Sequence, residues 1–174
     1  MATSTPAAID TLPAVTPRRE TLDTLAAQIA AIDELVGLAQ RSVRVFDIDL
    51  SEMGWNRPER INRLAAFLRR SRHARLEIIV HDTRYIEGRC ARLAALQRLF
   101  GEAIVVRRTG PEARGAMDPL VIVDGRHYLH RFHIDRPGAA LGILQPQALK
   151  PLIHRFDEIW ATGEAGVQGN VLGL

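Results

Sequence analysis

The segment Ala116–Gly125, AMDPLVIVDG, constrains this chain more than any other. Leu120 to Val123 form an unbroken apolar run between Pro119 and an Asp124-Gly125 pair. Such a run, bounded by turn residues, reads as a buried strand entering a tight turn. His127 to His133 follows at hairpin distance and reads as a partner strand.

Upstream of this segment the apolar period switches back and forth between helix and strand. Leu22, Leu25, Ile29, Ile32, Leu35, Val36 and Ala39 recur at helical spacing, with Thr21 as the expected N-cap. Ser42 to Leu50 reads as a strand with Val43, Val45, Asp47 and Asp49 on one face and Phe46, Ile48 and Leu50 on the other. Pro58 opens a second helix carrying Ile61, Leu64, Ala65 and Leu68. Strands are expected at Arg75–Val80 and Ala103–Arg108, with one helix from Thr83 to Phe100 between them, stopped by Gly101. Ala139–Leu144 reads as a short edge strand. Gln147 to Trp160 is a closing amphipathic helix whose regular part starts near Pro151. This order predicts an α/β fold with a mixed sheet, its first strands parallel and joined by helical crossovers. Three segments are expected: residues 1–18 as a disordered leader rich in Ala, Thr and Pro, 19–162 as one domain, and 163–174 as a flexible Gly-rich tail.

At 174 residues the chain is long enough for one domain with a full core. Its net charge of +3 is too small and too dispersed to be a nucleic-acid footprint by itself. Lys150 is the sole lysine, so nearly all cationic side chains are guanidinium forks suited to phosphate or carboxylate. An arginine- and alanine-favouring genome explains the same bias. Cys90 is the single cysteine, which excludes an intrachain disulfide, and it falls in an apolar helical pattern. No apolar run approaches the ~20 residues of a membrane span, and no secretory signal opens the chain, so a cytoplasmic setting is expected.

The strand-turn at Val121–Gly125, the lead helix ending in Leu38-Ala39-Gln40 and the closing Phe156-Asp157-Glu158-Ile159-Trp160 together resemble one half of the phospholipase-D-like superfamily. The likeness runs from about Leu22 to Trp160. It extends to an uncharacterised bacterial family of such domains without the catalytic motif. The superfamily pattern is HxKxxxxD followed by GSxxN. With Asp124 as its aspartate, the lysine position holds Pro119 and the histidine position Met117. The Gly-Ser pair falls on Arg131 and Phe132, and the Asn on Asp135. Met117 cannot attack phosphorus and Pro119 carries no charge, so the resemblance implies a pseudoenzyme half domain. It also implies a homodimer, because halves of this fold pair with their motif strands facing, and a crevice near Asp47, Asp49, His81, Asp82 and Asp118.

Several residues invite chemistry. His81 at a strand end, with Asp49 or Asp118 as partner, is the acid–base candidate; the competing reading has Asp82 capping the next helix. Arg107, Arg108, Arg114, Arg131 and Arg136, with His133, are candidate anion ligands, against an ordinary solvated surface. The arginines of the second helix, Arg60, Arg63, Arg69 and Arg70, lack the interleaved aromatics of a nucleic-acid face. His127, His130 and His133 alternate across a strand and do not converge on one ion, so no metal and no cofactor is expected. The leading expectation is a non-catalytic binding or assembly module, taking a phosphorylated small molecule, a nucleic-acid backbone or a protein partner. The alternatives are an enzyme with rebuilt chemistry around His81 and a purely structural interaction domain.

Overall fold

A computed structural model describes residues 14–166. In chain order these form β1 (Arg18–Leu22), α1 (Leu25–Leu38), β2 (Ser42–Asp47), α2 (Pro58–Arg70), β3 (Arg75–Val80), α3 (Arg84–Arg89) and α4 (Ala91–Phe100). There follow β4 (Ile104–Arg108), β5 (Leu120–Val123), β6 (His127–Arg131), β7 (Ala139–Ile143), α5 (Pro146–Ala161) and β8 (Glu164–Ala165). The strands join one mixed sheet in the order β1-β7-β6-β5-β2-β3-β4-β8. The expected parallel unit is β2, β3 and β4; every other pairing is antiparallel.

The period-2 alternation of the central strands feeds two separate cores. Val43, Val45, Val121 and Val123 face a layer built by Ile32 and Leu35 of α1, Leu64 and Phe67 of α2, and Leu93 of α4. Phe46, Leu120, Ile122 and Tyr128 face Leu149, Phe156 and Ile159 of α5. This explains the unbroken apolar run of β5: helices cover both sides of it, so no position can be polar. Among the described residues no helix is long and apolar enough to cross a membrane.

The structure corrects several boundaries. Thr21 is not a helix cap: it lies in β1, opposite Ala140, and Thr24 caps α1 by accepting the amide of Ala27 at 3.1 Å. β1 lies against β7, which is therefore an interior strand and not an edge. Arg-Arg-Glu-Thr-Leu has no alternation that would mark it as a strand; its pairing supplies what its side chains do not. The helix expected over Thr83–Phe100 breaks at Cys90, whose backbone (φ −103°, ψ 52°) leaves the helical region. Asn56 bridges the break, donating to the carbonyl of Arg89 at 2.9 Å and accepting the amide of Arg92 at 3.0 Å. Cys90 itself is buried. Pro151 sits inside α5, which begins a turn earlier at Pro146. Glu164 and Ala165, in the segment expected as tail, pair with Arg108 and Arg107. Residues 1–13 of the expected leader and 167–174 of the tail lie outside the described residues.

Candidate functional site

Strand direction decides which side chains meet. β5 runs against β2 with Leu120 opposite Phe46, and β6 runs against β5 with His130 opposite Leu120. The carboxyl ends of β2 and β3, the entry to β5 and the exit of β6 therefore share one end of the sheet, where Asp47, His81, Asp118, His130 and Arg131 gather.

His81 is buried, and both ring nitrogens are taken. Nε2 lies 2.6 Å from the carbonyl of Ala116 and Nδ1 2.6 Å from the hydroxyl of Thr109. A carbonyl only accepts, so Nε2 carries the hydrogen, and in the neutral ring the threonine hydroxyl donates to Nδ1. The ring edge packs on Phe46, with centroids 5.3 Å apart. Neither nitrogen is left for a substrate, and neither Asp49 nor Asp118 touches the ring. Asp49 instead accepts the amide of Ser51 at 2.9 Å.

Asp118 is held by Arg155 through two hydrogen bonds, Nε to Oδ2 at 2.7 Å and the terminal nitrogen to Oδ1, and by His130 Nε2 at 2.9 Å. Burial alone would raise its pKa; the hydrogen bonds from His130 and Arg155 outweigh burial and hold the carboxylate below its usual range. Asp82 is chelated by Arg84, whose hydrogen bonds bring its pKa down to about 2. Asp47 differs. Burial pushes its carboxyl up to about 7 despite the amide of Ile48 and the nearby Arg131.

The expected anion ligands do not converge. Arg131 is only 2% exposed, and its guanidinium donates inward, to Glu52 at 2.7 Å and the Ile134 carbonyl at 2.9 Å, while Nε is buried without a partner. These contacts fasten the β6–β7 loop to the segment after β2. Arg107 lies 4.3 Å over the ring of Trp160. His133 accepts the amide of Asp135 through Nδ1 at 3.1 Å, and Arg136 is exposed in the same loop, four strands away from Arg107. Arg108 and Arg114 do come together. With Arg84, which sequence reasoning passed over, they line a cavity of about 300 Å³ beyond the ends of β3 and β4, floored by His81, Asp82 and Thr83. Arg84 carried no signal because its neighbours are brought in by crossovers, not by spacing.

The residues matched to the superfamily motif have separate places. Met117 and Pro119 lead into β5, where their carbonyls accept the amides of Ile134 and Arg131 at 2.7 and 2.9 Å. Asp124 lies at the far end of β5 in the left-handed region (φ 54°). Its carboxylate accepts the amides of Gln40, Arg41 and Ser42 at 2.9, 2.7 and 2.9 Å, which ties the α1–β2 junction to the β5–β6 turn. The three histidines of β6 and its exit take separate partners: His127 accepts the amide of Leu144, His130 binds Asp118 and His133 binds Asp135.

The chain belongs to the family described as a domain of unknown function, DUF7931, whose model matches residues 24–168. No curated protein matches it. Among solved structures it is similar to TrmBL2, an archaeal chromatin protein whose structure shows a novel mode of DNA binding (12% identity, TM-score 0.65, 91% of this chain and 57% of that one). This chain thus spans little more than half of TrmBL2. It is also similar to Nuc, a phospholipase D family member from Salmonella typhimurium (16% identity, TM-score 0.60, 88% of this chain and all of that one). NucT from Helicobacter pylori is a further neighbour (10% identity, TM-score 0.59, 87% of this chain and all of that one). These likenesses establish a phospholipase-D-like fold.

Proposed function

We propose that this DUF7931 domain is a non-catalytic phospholipase-D-like module of the cytoplasm that binds a phosphate-bearing ligand and works as a homodimer. One observation carries the reading. At the end of the sheet where the fold gathers its polar groups, the candidate reactive side chains are already committed to internal partners, whereas Arg84, Arg108 and Arg114 line an open cavity. Met117 and Pro119 stand where the superfamily motif has its histidine and lysine, so the reading has no nucleophile for phosphorus. Arg114 makes no side-chain hydrogen bond or ion pair among the described residues and acts on Asp82 only through its charge; Arg108 shares Glu164 at 3.1 Å and Arg84 shares Asp82. A phosphate with two or three charged oxygens suits such forks, and exchanging an exposed carboxylate for it costs little. The ligand class is a phosphomonoester or a phosphodiester backbone. The likeness to a chromatin protein and to a phospholipase D family member supports including the diester.

The test is fluorescence anisotropy of labelled single-stranded and duplex oligonucleotides, with competition by inorganic phosphate and nucleotides, on wild type and Arg114→Glu. The expected result is saturable binding that falls at least tenfold in Arg114→Glu at unchanged melting temperature, with no turnover of bis(p-nitrophenyl) phosphate. Equal binding by both proteins would overturn the cavity as the site, and diester turnover lost in a His81 variant that still folds would restore the enzymatic alternative. Sedimentation of the same samples checks the dimer.

A further inference from the structure

The opposite end of the sheet holds a second and larger cavity, of about 520 Å³. That lies within the ~300–1,000 Å³ span of small-molecule pockets. Its walls come from the carboxyl end of α1, the β5–β6 turn and the exit of β7. Leu38, Leu144 and Val15 supply apolar surface, while Arg41 and Arg126 supply charge. Neither guanidinium has a partner among the described residues. Arg70 also lines the cavity, but it is occupied with the open carbonyl of Ala39 at the end of α1, at 2.9 Å.

His127 gives the cavity a directional group. The residue is 5% exposed and lines the wall. Nδ1 accepts the amide of Leu144 at 3.0 Å, so the neutral ring carries its hydrogen on Nε2. That donor has no partner among the described residues. The donor is open to solvent, so an acceptor on a ligand would replace water there. The wall also holds one acid, Asp124, whose carboxylate is satisfied by three amides but keeps its charge. Arg41, Arg70 and Arg126 against Asp124 leave a net charge of two positive units, which selects an anion, and the apolar surface of Leu38, Leu144 and Val15 selects one with an apolar body.

We propose that this cavity binds a small organic monocarboxylate with an apolar body, its head group accepting from His127 Nε2 and pairing with Arg41 or Arg126, and its body lying against Leu38 and Leu144. This site is independent of the phosphate-binding reading, since it lies at the other end of the sheet and shares no residue with the first cavity. The test titrates the full chain with octanoate, acetate, octylamine and inorganic phosphate, followed by amide and imidazole NMR shifts. Octanoate should bind saturably, shifting Leu144, Arg126 and the His127 ring, and octylamine should not. Arg41→Glu/Arg126→Glu, both exposed positions, should weaken octanoate at least tenfold with the fold intact, while Arg114→Glu should leave it unchanged. Equal octanoate binding by the double variant, or shifts confined to other surfaces, would overturn the proposal. Phosphate binding more tightly than octanoate here would overturn the choice of ligand class.

Discussion

The two aspartates that bracket β5 do opposite jobs. Asp118, at the entry, is held by side chains: a guanidinium fork and an imidazole. Asp124, at the exit, is held by three consecutive main-chain amides. Side-chain partners balance charge and can be exchanged at modest cost, because long side chains relax. Main-chain partners fix the path of the chain, because an amide stripped of its acceptor can only move by moving the backbone. The same residue type therefore tunes electrostatics at one end of the strand and sets geometry at the other.

The sharpest way to break the contrast is Asp124→Ala. It strips three amides of a charged acceptor and should cost roughly 3 kcal/mol in urea denaturation; Asp124→Asn, which keeps an acceptor and tolerates a positive φ, should recover more than half. A loss below about 1 kcal/mol would mean that the junction is held by other contacts.

Asp47 comes next, as a charge problem without a pairing solution. Its folded pKa of about 7 lies above the ordinary carboxylate value of ~3.9. A raised acid binds its proton more tightly when folded, so its stabilising contribution is complete below about pH 4 and is lost as pH rises towards 7. Asp47→Asn should abolish a fall of about 2–3 kcal/mol between pH 5 and pH 8 that wild type shows. Parallel stability curves for the two proteins would refute this account.

Asp118→Asn should have the smallest effect, about 1–2 kcal/mol at neutral pH, since Arg155 is partly exposed and the pair is screened. Its folded pKa is depressed, so the contribution is present above about pH 4 and lost as pH falls through the folded value. The variant and wild type should therefore converge in acid, which melting curves at pH 7 and pH 3 will check. If Asp118→Asn costs as much as Asp124→Ala, the division between charge balance and geometry fails.

Much of this architecture can be read from residues alone, and the failures are local. Val43, Val45 and Phe46 separate onto the two cores as their alternation demands. β1 is not legible in the sequence because its pairing partner, β7, is more than a hundred residues away and its own side chains are mostly polar. The break at Cys90 leaves no mark in the sequence because the apolar period continues through it; Asn56, from another loop, makes it tenable. At the candidate site, the strand-end position of His81 was legible, but its satisfaction by Thr109 and Ala116 was not. Likewise the burial of Arg131 follows from Glu52, 79 residues away, and no local pattern marks such a pair.

What the sequence determined by itself is the alternation of helix and strand, the burial of β5 and the tight turn at Asp124-Gly125, since these rest on period, propensity and backbone sterics within a few residues. Only the tertiary structure decided which charges are spent and which are free. Arg131 and Arg155 are consumed by carboxylates, whereas Arg114 and Arg126 are left open, although all four are the same residue type in unremarkable contexts. The reason is physical: a guanidinium's role depends on what lies within hydrogen-bonding reach, and strand order, not sequence distance, sets that.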